Sequence, residues 1–272
     1  MSKSPKLPLP PSSKFSLLTL SSTLAIIVLM KPLSPRQISI IKAIVEEYTT
    51  TGEAVGSDTL DKKYNLGISP ATIRNEMVRL EDLGYLKQPH TSAGRVPTPV
   101  ALKLYISELM KEDTLPVTEE VSVKERIWDH RQKIDTLLRE ATHVLSEKTN
   151  NIGFATTSDG AVYSAGYANL LTLPEFFDID VTRQVLSIIE SHAALEAIFG
   201  RVLDTQPLHI ILGDEFGNEF LYPCAMAYLD FRAGNINGHL GVIGPARLNY
   251  PYVMPMLRHM SNLLDEISAS WS

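Results

Sequence analysis

Two Ser–Pro pairs, Ser34–Pro35 and Ser69–Pro70, constrain the first half of this 272-residue chain more than any other feature. Serine at an N-cap accepts a backbone hydrogen bond, and proline at the first helical position loses nothing because its missing N–H has no helical partner there. Apolar residues follow each pair at helical spacing. The sequence therefore predicts one helix from Ser34–Pro35 to about Gly52, and a second from Ser69–Pro70 to Gly84.

A short helix capped by Ser57 and a tight turn over residues 65–68 are predicted between these two helices. The turn contains Asn and Gly, which tolerate positive φ, and so suits a helix–turn–helix. Residues 85–88 and 95–96 then read as two short strands joined by a polar loop. A hairpin directly after a helix–turn–helix is the arrangement of a winged helix. We expect such a domain at residues 31–112.

The outward face of the second Ser–Pro helix is the candidate DNA-reading surface. At about 100° per residue, the apolar stripe of Ile73, Met77 and Leu80 points inward and the opposite side points away. A recognition helix contacts base edges mainly through its N-terminal residues, and small polar or basic groups in the hairpin suit phosphate oxygens. The predicted DNA-binding residues are Ser69, Ala71, Thr72, Arg74, Asn75, Val78, Arg79, Lys87, His90, Thr91, Ser92 and Arg95.

Side-chain chemistry suggests roles for some of these residues. Asn75 suits a bidentate contact with adenine, and Arg74 or Arg79 suits guanine. For each residue an ordinary solvated polar face is the alternative. The charge distribution favours the DNA interpretation: the net charge is −6, yet residues 62–103 carry seven basic and three acidic groups. Residues 114–272 carry 11 basic and 20 acidic groups, so a nucleic-acid surface belongs in the first half.

Residues 15–30 form an apolar run behind Lys3, Lys6 and Lys14, which is the layout of a secretory signal. The run of 16 residues is short for a membrane span, and no small-residue cleavage site follows it. We interpret residues 1–30 as an extension outside the fold, with Met30 as a candidate start. An export signal or membrane anchor is the alternative.

Residues 122–148 repeat apolar positions at three- and four-residue spacing, which is typical of a coiled-coil seam. The seam positions are Ile127, His130, Ile134, Leu137, Ala141 and Val144. This helix could pair two chains or pack on its own domain, and we favour a dimer contact. Residues 113–149 are expected to form a hinge and linker helix.

From residue 150 the pattern becomes α+β. Strand-like runs occur at 152–156, 161–165, 208–212, 220–227 and 239–243, with helical patterns at 181–203 and 250–267. Gly–Asn pairs at 217–218 and 234–235 fit hairpin turns. Residues 150–272 are therefore expected to form an antiparallel sheet with helices to one side. The predicted fold class of the whole chain is α+β.

The second half offers no constellation for catalysis, metal binding or a cofactor. Asp214, Glu215 and Glu219 lie beside glycines and fit a solvated turn, while Cys224 fits a buried small hydrophobe. Arg247 could bind an anion, but we favour a role in holding the last helix. A single cysteine and seven scattered histidines exclude the common zinc motifs. We expect a protein that is not an enzyme and has no metal or cofactor.

Four stretches resemble the family of the heat-inducible transcription repressor HrcA. They are VGSDTL (55–60), SPATIRNEMVRLEDLGYLKQPHTSAGRVPT (69–98), NLLTLPEFFD (169–178) and GVIGPARLNY (241–250). The resemblance implies a winged helix joined to a GAF-like regulatory domain, and a homodimer that binds double-stranded DNA at the inverted-repeat CIRCE operator of chaperone genes. It also implies the chaperonin GroEL as a partner. The location expected for such a protein is cytoplasmic, without membrane contact.

The chain departs from this family in one respect. The usual member carries a dimerising insertion within its GAF-like domain, and Asn150–Tyr167 is too short to hold it. Three alternatives to the repressor stay open. The first is a winged-helix regulator that responds to a small-molecule ligand through its GAF-like domain. The others are an enzyme built on the α+β half and a membrane-tethered regulator that uses residues 15–30.

Overall fold

A computed structural model of the chain describes residues 32–202, 206–233 and 236–269. The apolar run at residues 15–30, the candidate start at Met30 and the predicted turn at 234–235 lie outside these residues. Among the helices of the described ranges, none combines the length and the apolar character that a bilayer crossing requires.

Three helices and a hairpin form the first part. The helices are α1 (Pro35–Thr51), α2 (Ser57–Tyr64) and α3 (Pro70–Asp82), and the strands are β1 (Leu86–Lys87) and β2 (Val96–Pro97). Both Ser–Pro starts are confirmed, because Ser34 accepts a hydrogen bond from the Gln37 N–H and Ser69 accepts one from the Thr72 N–H. Ser57 is the first residue of α2 rather than its cap, a position that Gly56 occupies.

The three helices bury their apolar faces against one another. Ile41 and Ile44 of α1, Leu60 of α2, and Ile73 and Leu80 of α3 all have no exposed surface. Burying one such side chain contributes about 1.5–3 kcal/mol. The stripe predicted for α3 therefore faces inward, and this fixes which side of the helix faces solvent.

Five antiparallel strands form a second structural layer, in the order β4-β3-β7-β6-β5. They are β3 (Ile152–Thr157), β4 (Val162–Ala165), β5 (Leu208–Leu212), β6 (Cys224–Ala233) and β7 (Ile236–Pro245). The strand predicted at 220–227 starts later than expected, because Glu219–Leu221 is a 3₁₀ turn in which Asn218 accepts a hydrogen bond from the Phe220 N–H. The Gly–Asn pair at 217–218 therefore does not form a tight hairpin.

Helices cover both faces of this sheet, so the expectation of helices to one side is wrong. The helices after the hairpin are α4 (Pro99–Leu104, continued by a π-helical turn Tyr105–Leu109), α5 (Val117–Trp128), α6 (Ile134–Thr149), α7 (Tyr167–Leu170), α8 (Ile179–Ile189), α9 (His192–Phe199) and α10 (Tyr250–Ala269). Helix α4 packs on α1 and β2 rather than on this sheet. Phe154, Met226 and Tyr228 pack with α8 and α9 on one face. Helices α6 and α10 contact each other and the opposite face.

Two long helices of the sequence prediction are each broken in the structure. The helix expected at 122–148 divides into α5 and α6 at Lys133, whose backbone is extended with φ −141° and ψ 130°. The helix expected at 181–203 divides into α8 and α9 at Ser191, whose hydroxyl accepts a hydrogen bond from the Ala194 N–H at 3.2 Å. After the first break α6 packs on β3, β4 and β7, whereas α5 packs against α6 and α10. The second break leaves α8 and α9 to pack with the apolar residues of the sheet.

The predicted dimer seam is wrong, because α6 packs on its own sheet. Leu137 and Ala141 have no exposed surface and Val144 retains 1%. A Cβ added to Gly153 of β3 would lie 2.3 Å from the Thr142 carbonyl oxygen, so helix and strand backbones approach very closely. These apolar side chains are already covered within one chain and leave no face for a second.

Candidate nucleic-acid interface

The first turn of α3 is rigidly capped and carries exposed polar groups. Besides accepting from the Thr72 N–H, the Ser69 hydroxyl lies 3.0 Å from the Thr72 hydroxyl, and Pro70 occupies the first helical position. Ser69 is exposed and Thr72 is half-buried. Because these contacts order the start of the helix, its N-terminal residues project in defined directions.

The predicted outward residues of α3 are all exposed. Ala71, Arg74, Asn75 and Arg79 are exposed, and Val78 keeps 43% of its surface in solvent. Ala71, Asn75 and Val78, which we call the outer face of α3, are free of covering protein. An exposed apolar Val78 beside polar groups fits a helix that packs into a groove rather than against its own core. Their contact with bases stays a prediction.

A concave surface that encloses a volume of about 540 Å³ lies between α3 and the hairpin. Its walls are the start of α2, the Arg74 and Val78 side of α3, and the hairpin loop; its lining residues are Gly56, Ser57, Asp58, Thr59, Arg74, Met77, Val78, Gln88, Thr91, Ser92, Ala93, Gly94 and Arg95. Of the predicted loop residues, His90, Thr91 and Ser92 are exposed. The fold therefore brings the loop and one side of α3 to a common surface.

Gln88, which the sequence reasoning missed, holds the hairpin loop in shape. Its side-chain amide donates to the carbonyl oxygens of Thr91 at 3.1 Å and Ala93 at 3.0 Å. Its backbone N–H donates to the Glu81 carboxylate at 3.0 Å. These three bonds order the loop and connect it to the end of α3.

Arg95, a predicted phosphate ligand, also holds the hairpin against the rest of the fold. Its Nε lies 2.8 Å from Glu81 Oε2 in an ion pair without hydrogen-bond alignment, and only 13% of its side chain is exposed. Its backbone exchanges two hydrogen bonds of 2.9 Å with Val55. A Cβ on neighbouring Gly94 would lie 2.3 Å from the Val55 carbonyl oxygen, so only glycine fits this close approach. Most of the Arg95 guanidinium therefore faces protein.

Lys87 lies on the outer side of the hairpin. It is exposed, and its Nζ is 5.5 Å from the centre of the Tyr222 ring in a cation–π contact. Such a contact at an exposed site is worth about 0.5–1 kcal/mol, so the ammonium can exchange it for another partner. Lys87 is therefore a predicted site residue that also contacts the sheet half, by which we mean the part of the chain that contains the five-stranded sheet.

Two buried carboxylates in the helical part also escaped the sequence reasoning. Glu47 is 7% exposed, pairs with Lys63 and accepts a hydrogen bond from the Tyr64 hydroxyl at 3.2 Å. Burial, and then the Glu47 carboxylate, raise the pKa of Tyr64 to about 12. Glu76 is 6% exposed and lies 2.9 Å from Arg79. Glu76 falls beside the apolar stripe of α3, so helical periodicity indicates its burial but not its partners.

Arg247, which precedes α10, has a structural role. Arg247 makes a two-pronged ion pair with Glu175 at 2.6 and 3.2 Å, and each side chain is 13% exposed. A Cβ on Gly52, at the end of α1, would lie 2.9 Å from Arg247 Nε. Burial, and then Glu175, raise the pKa of the neighbouring Tyr48. Arg247 thus joins α1 to the segment that carries Glu175.

The other residues of the sheet half that the sequence singled out either contact their own fold or face solvent. Glu215 accepts the Leu212 N–H at 3.0 Å and pairs with Lys103, while Asp214 and Glu219 are exposed. Cys224 has no exposed surface, as predicted for a small hydrophobe, and burial raises the pKa of its thiol to about 12. Within the described ranges, no three His, Cys, Asp or Glu side chains are grouped so as to hold a metal ion.

Known proteins are similar to this chain over most of its length. The chain is 28% identical to the "Heat-inducible transcription repressor HrcA" of Symbiobacterium thermophilum over 334 aligned positions, which cover 86% of this chain and 98% of the relative. It is 47% identical over 116 residues to a protein of the same description from Clostridium botulinum strain Eklund 17B, covering 42% of this chain and 34% of the relative. The first alignment is longer than this chain, so that relative contains segments without a counterpart here.

A solved structure and a family model complete the comparison. The crystal structure of a hypothetical protein superimposes with a TM-score of 0.71 at 18% identity, covering 89% of this chain and 100% of the other, a likeness that concerns the fold alone. The family model described as the HrcA protein C-terminal domain matches residues 100–254, which is more than half of the chain. The chain therefore belongs to the HrcA family.

Proposed function

We propose that the protein is a transcriptional repressor of heat-shock genes, whose residues 31–112 form a winged helix–turn–helix that binds DNA. Family membership supports this, since both relatives described above are named as heat-inducible repressors. The single observation that carries it here is the free outer face of α3, with Asn75 exposed at its centre and the hairpin loop beside it. We propose binding rather than catalysis as the whole activity.

In the proposed complex α3 enters the major groove of the duplex. An α-helix is about 10–12 Å across and the groove is about 12 Å wide, so the outer face of α3 meets base edges. In this proposal Asn75 pairs with an adenine, Ala71 touches a thymine methyl and Arg74 contacts a guanine. His90, Thr91 and Ser92 in the hairpin loop then face phosphate oxygens.

A homodimer on an inverted repeat completes the proposal. A two-fold operator matches a two-fold protein, and the distance between the two α3 helices fixes the half-site spacing. We assign the spacing role to a GAF-like domain at residues 150–272, connected through the linker region 113–149. Because Leu137 and its apolar neighbours in α6 are covered within one chain, we propose that the dimer contact does not use that apolar face. A cytoplasmic location follows from the need to meet DNA.

Gel-shift titration of the purified full chain tests this function. The duplexes are a CIRCE-type inverted repeat and a scrambled sequence of equal length, each measured at several salt concentrations, with and without the chaperonin GroEL. We expect binding that prefers the inverted repeat by at least about a thousandfold and weakens steeply with salt. Equal affinity for both duplexes, or no binding to either, would contradict the proposal.

A second candidate function is a ligand-responsive regulator. It is favoured by an open cavity of about 600 Å³ beside the end of β6 and the start of β7, which His192, Glu196, Asp230 and His239 line. His239 Nδ1 lies 2.8 Å from Asp230 Oδ1, and both histidines face Glu196 at 3.8 Å. A thermal-shift screen of metabolites tests this candidate: one compound that raises the melting temperature and changes operator affinity would favour it over heat response alone.

A further inference from the structure

A group of four side chains lies on the flank of α3 that faces α1, away from the hairpin. Glu76 of α3 is 6% exposed, and its Oε1 lies 2.9 Å from Arg79 Nη1 and 4.0 Å from Arg36 Nη1. Its Oε2 accepts a hydrogen bond from the Gln37 side-chain amide at 3.2 Å. We call Arg36, Gln37, Glu76 and Arg79 the Glu76 cluster. Together with Ser34 and Pro35 it lines a shallow concave surface.

The Glu76 cluster holds two cations against a single carboxylate, so it carries a net positive charge. The arginine side chains are 52% exposed at Arg36 and 67% exposed at Arg79, whereas the carboxylate is almost covered. A guanidinium has five N–H donors, and Glu76 engages only part of this capacity in each arginine. The charge that reaches solvent is therefore positive, and the buried acid fixes where the two guanidinium groups point.

The position of the Glu76 cluster relative to the outer face of α3 suggests its ligand. Arg74 and Val78 line the concave surface that α3 shares with the hairpin, whereas Arg79 lines the one that it shares with the start of α1. A helix that fills a major groove has a phosphate strand along each of its two flanks. In the proposed complex the hairpin flank meets one strand, and the Arg36 and Arg79 flank meets the other.

We infer that Arg36 and Arg79, oriented by Glu76, form a second anchor for DNA phosphodiester groups, on the flank of α3 opposite the hairpin. The inference rests on the proposed function and deepens it. It assigns Arg79 to the backbone rather than to a guanine base, adds Arg36 to the interface and makes Glu76 a positioning residue. Sequence choice then belongs to the outer face of α3, and the two flanks supply affinity that does not depend on sequence.

The test uses the full chain with Arg36→Gln or Arg79→Gln, titrated against the inverted-repeat and scrambled duplexes over a salt series. We expect each variant to bind both duplexes about five- to tenfold more weakly at low salt, with an unchanged preference between them. The slope of log affinity against log salt should fall by about 1 for each arginine removed. Arg79→Lys keeps the charge, so it should keep the slope, since lysine binds phosphate as a point charge.

Arg183→Gln is the matched control. Arg183 is 63% exposed and pairs with Asp180 at 2.7 Å in the same i,i+3 arrangement that Arg79 makes with Glu76, but it lies on α8. This control should leave both affinities and the slope unchanged. Melting curves of all variants check that the fold is retained.

Three outcomes would overturn the inference while leaving the proposed function intact. Arg79→Gln could weaken the inverted repeat alone, which would make Arg79 a base reader. Both glutamine variants could bind like the wild type, or Arg79→Lys could lose the slope as fully as Arg79→Gln. A wild-type chain without preference for the inverted repeat would instead refute the proposed function itself, so the two failures are distinguishable.

Discussion

The arginines of α3 and Arg247, which precedes α10, are used in opposite ways. Arg74 and Arg79 on α3 are exposed, and the Arg79 side chain keeps 67% of its surface although it is paired with Glu76. Arg247 in the sheet part is 13% exposed and locked to an equally covered Glu175. The same residue type is thus available for an outside ligand on α3 and fixed as an internal connection at Arg247. Burial, rather than residue type or charge count, separates the two roles.

Leu137→Glu should have the largest effect, because Leu137 has no exposed surface on α6. An unpaired carboxylate there costs more than about 5 kcal/mol, which is comparable with the stability of a whole domain. We expect loss of the folded state in circular dichroism, whereas His143→Glu, on the exposed side of the same helix, should fold normally. A well-folded monomer from Leu137→Glu would restore the dimer seam and contradict the sheet packing.

Arg247→Ala should be the next largest in effect. It leaves the Glu175 carboxylate covered and unpaired, which costs about 3 kcal/mol. Arg258→Ala is the control, because Arg258 pairs with Glu112 at side-chain exposures of 43% and 37% and such a surface pair is worth about 0–1 kcal/mol. Urea denaturation measures both. Equal losses of stability would show that burial does not distinguish the two ion pairs.

Asn75→Ala should change recognition without changing stability. Asn75 is exposed on α3, so we expect the free energy of unfolding to move by no more than about 0.5 kcal/mol. Discrimination between the inverted repeat and a duplex changed at the contacted base should fall by about 1–3 kcal/mol. Asn262→Ala, an exposed asparagine on α10, is the control. Unchanged discrimination in competition gel shifts would remove the outer face of α3 from base reading.

Glu119 of α5 gives the smallest effect, a dependence of the folding stability on pH. Burial would raise its pKa, but hydrogen bonds from Tyr252 at 2.8 Å and from Lys148 outweigh this and hold the pKa below the ordinary value. A carboxyl with a lowered folded-state pKa stabilises above its unfolded pKa, and that contribution is lost as the pH falls through the folded value. Wild type should therefore lose more stability than Glu119→Gln on acidification below about pH 4.5. If the melting temperatures of the wild type and of Glu119→Gln decreased equally as the pH falls, the prediction would be wrong.

Local signals in the sequence predicted the helical part well. Ser34–Pro35 and Ser69–Pro70 start α1 and α3 as expected, because capping and proline geometry act within a few residues. The exposure of Asn75 followed from helical periodicity alone. What the sequence did not reveal were Gln88, Glu81 and Glu76, since their roles depend on which segments the fold brings beside them.

Long-range packing explains the errors in the sheet part. An unbroken apolar repeat over residues 122–148 looks like one helix, but the structure ends α5 at Trp128 and starts α6 at Ile134. Helix α6 packs on the sheet, whereas α5 packs against α6 and α10. Ser191 is an N-cap residue, but the apolar residues on both sides of it continue one helical pattern, so the sequence did not predict the break there. Periodicity reports which side of a helix is apolar, and it does not report whether the covering surface comes from the same chain or another.

The most direct test is affinity cleavage of the inverted-repeat duplex. An iron chelate is attached to a cysteine introduced as Asn75→Cys, and the positions at which it cleaves the DNA are mapped. The native Cys224 does not interfere, because it has no exposed surface and burial raises the pKa of its thiol to about 12. If two copies of α3 lie in successive major grooves, cleavage should fall in both half-sites, about 34 Å or a multiple apart, and the control Asn262→Cys should not cleave there. Cleavage by the Asn75→Cys conjugate that is absent, unsymmetrical or equal to the control would contradict the claim that α3 reads the operator.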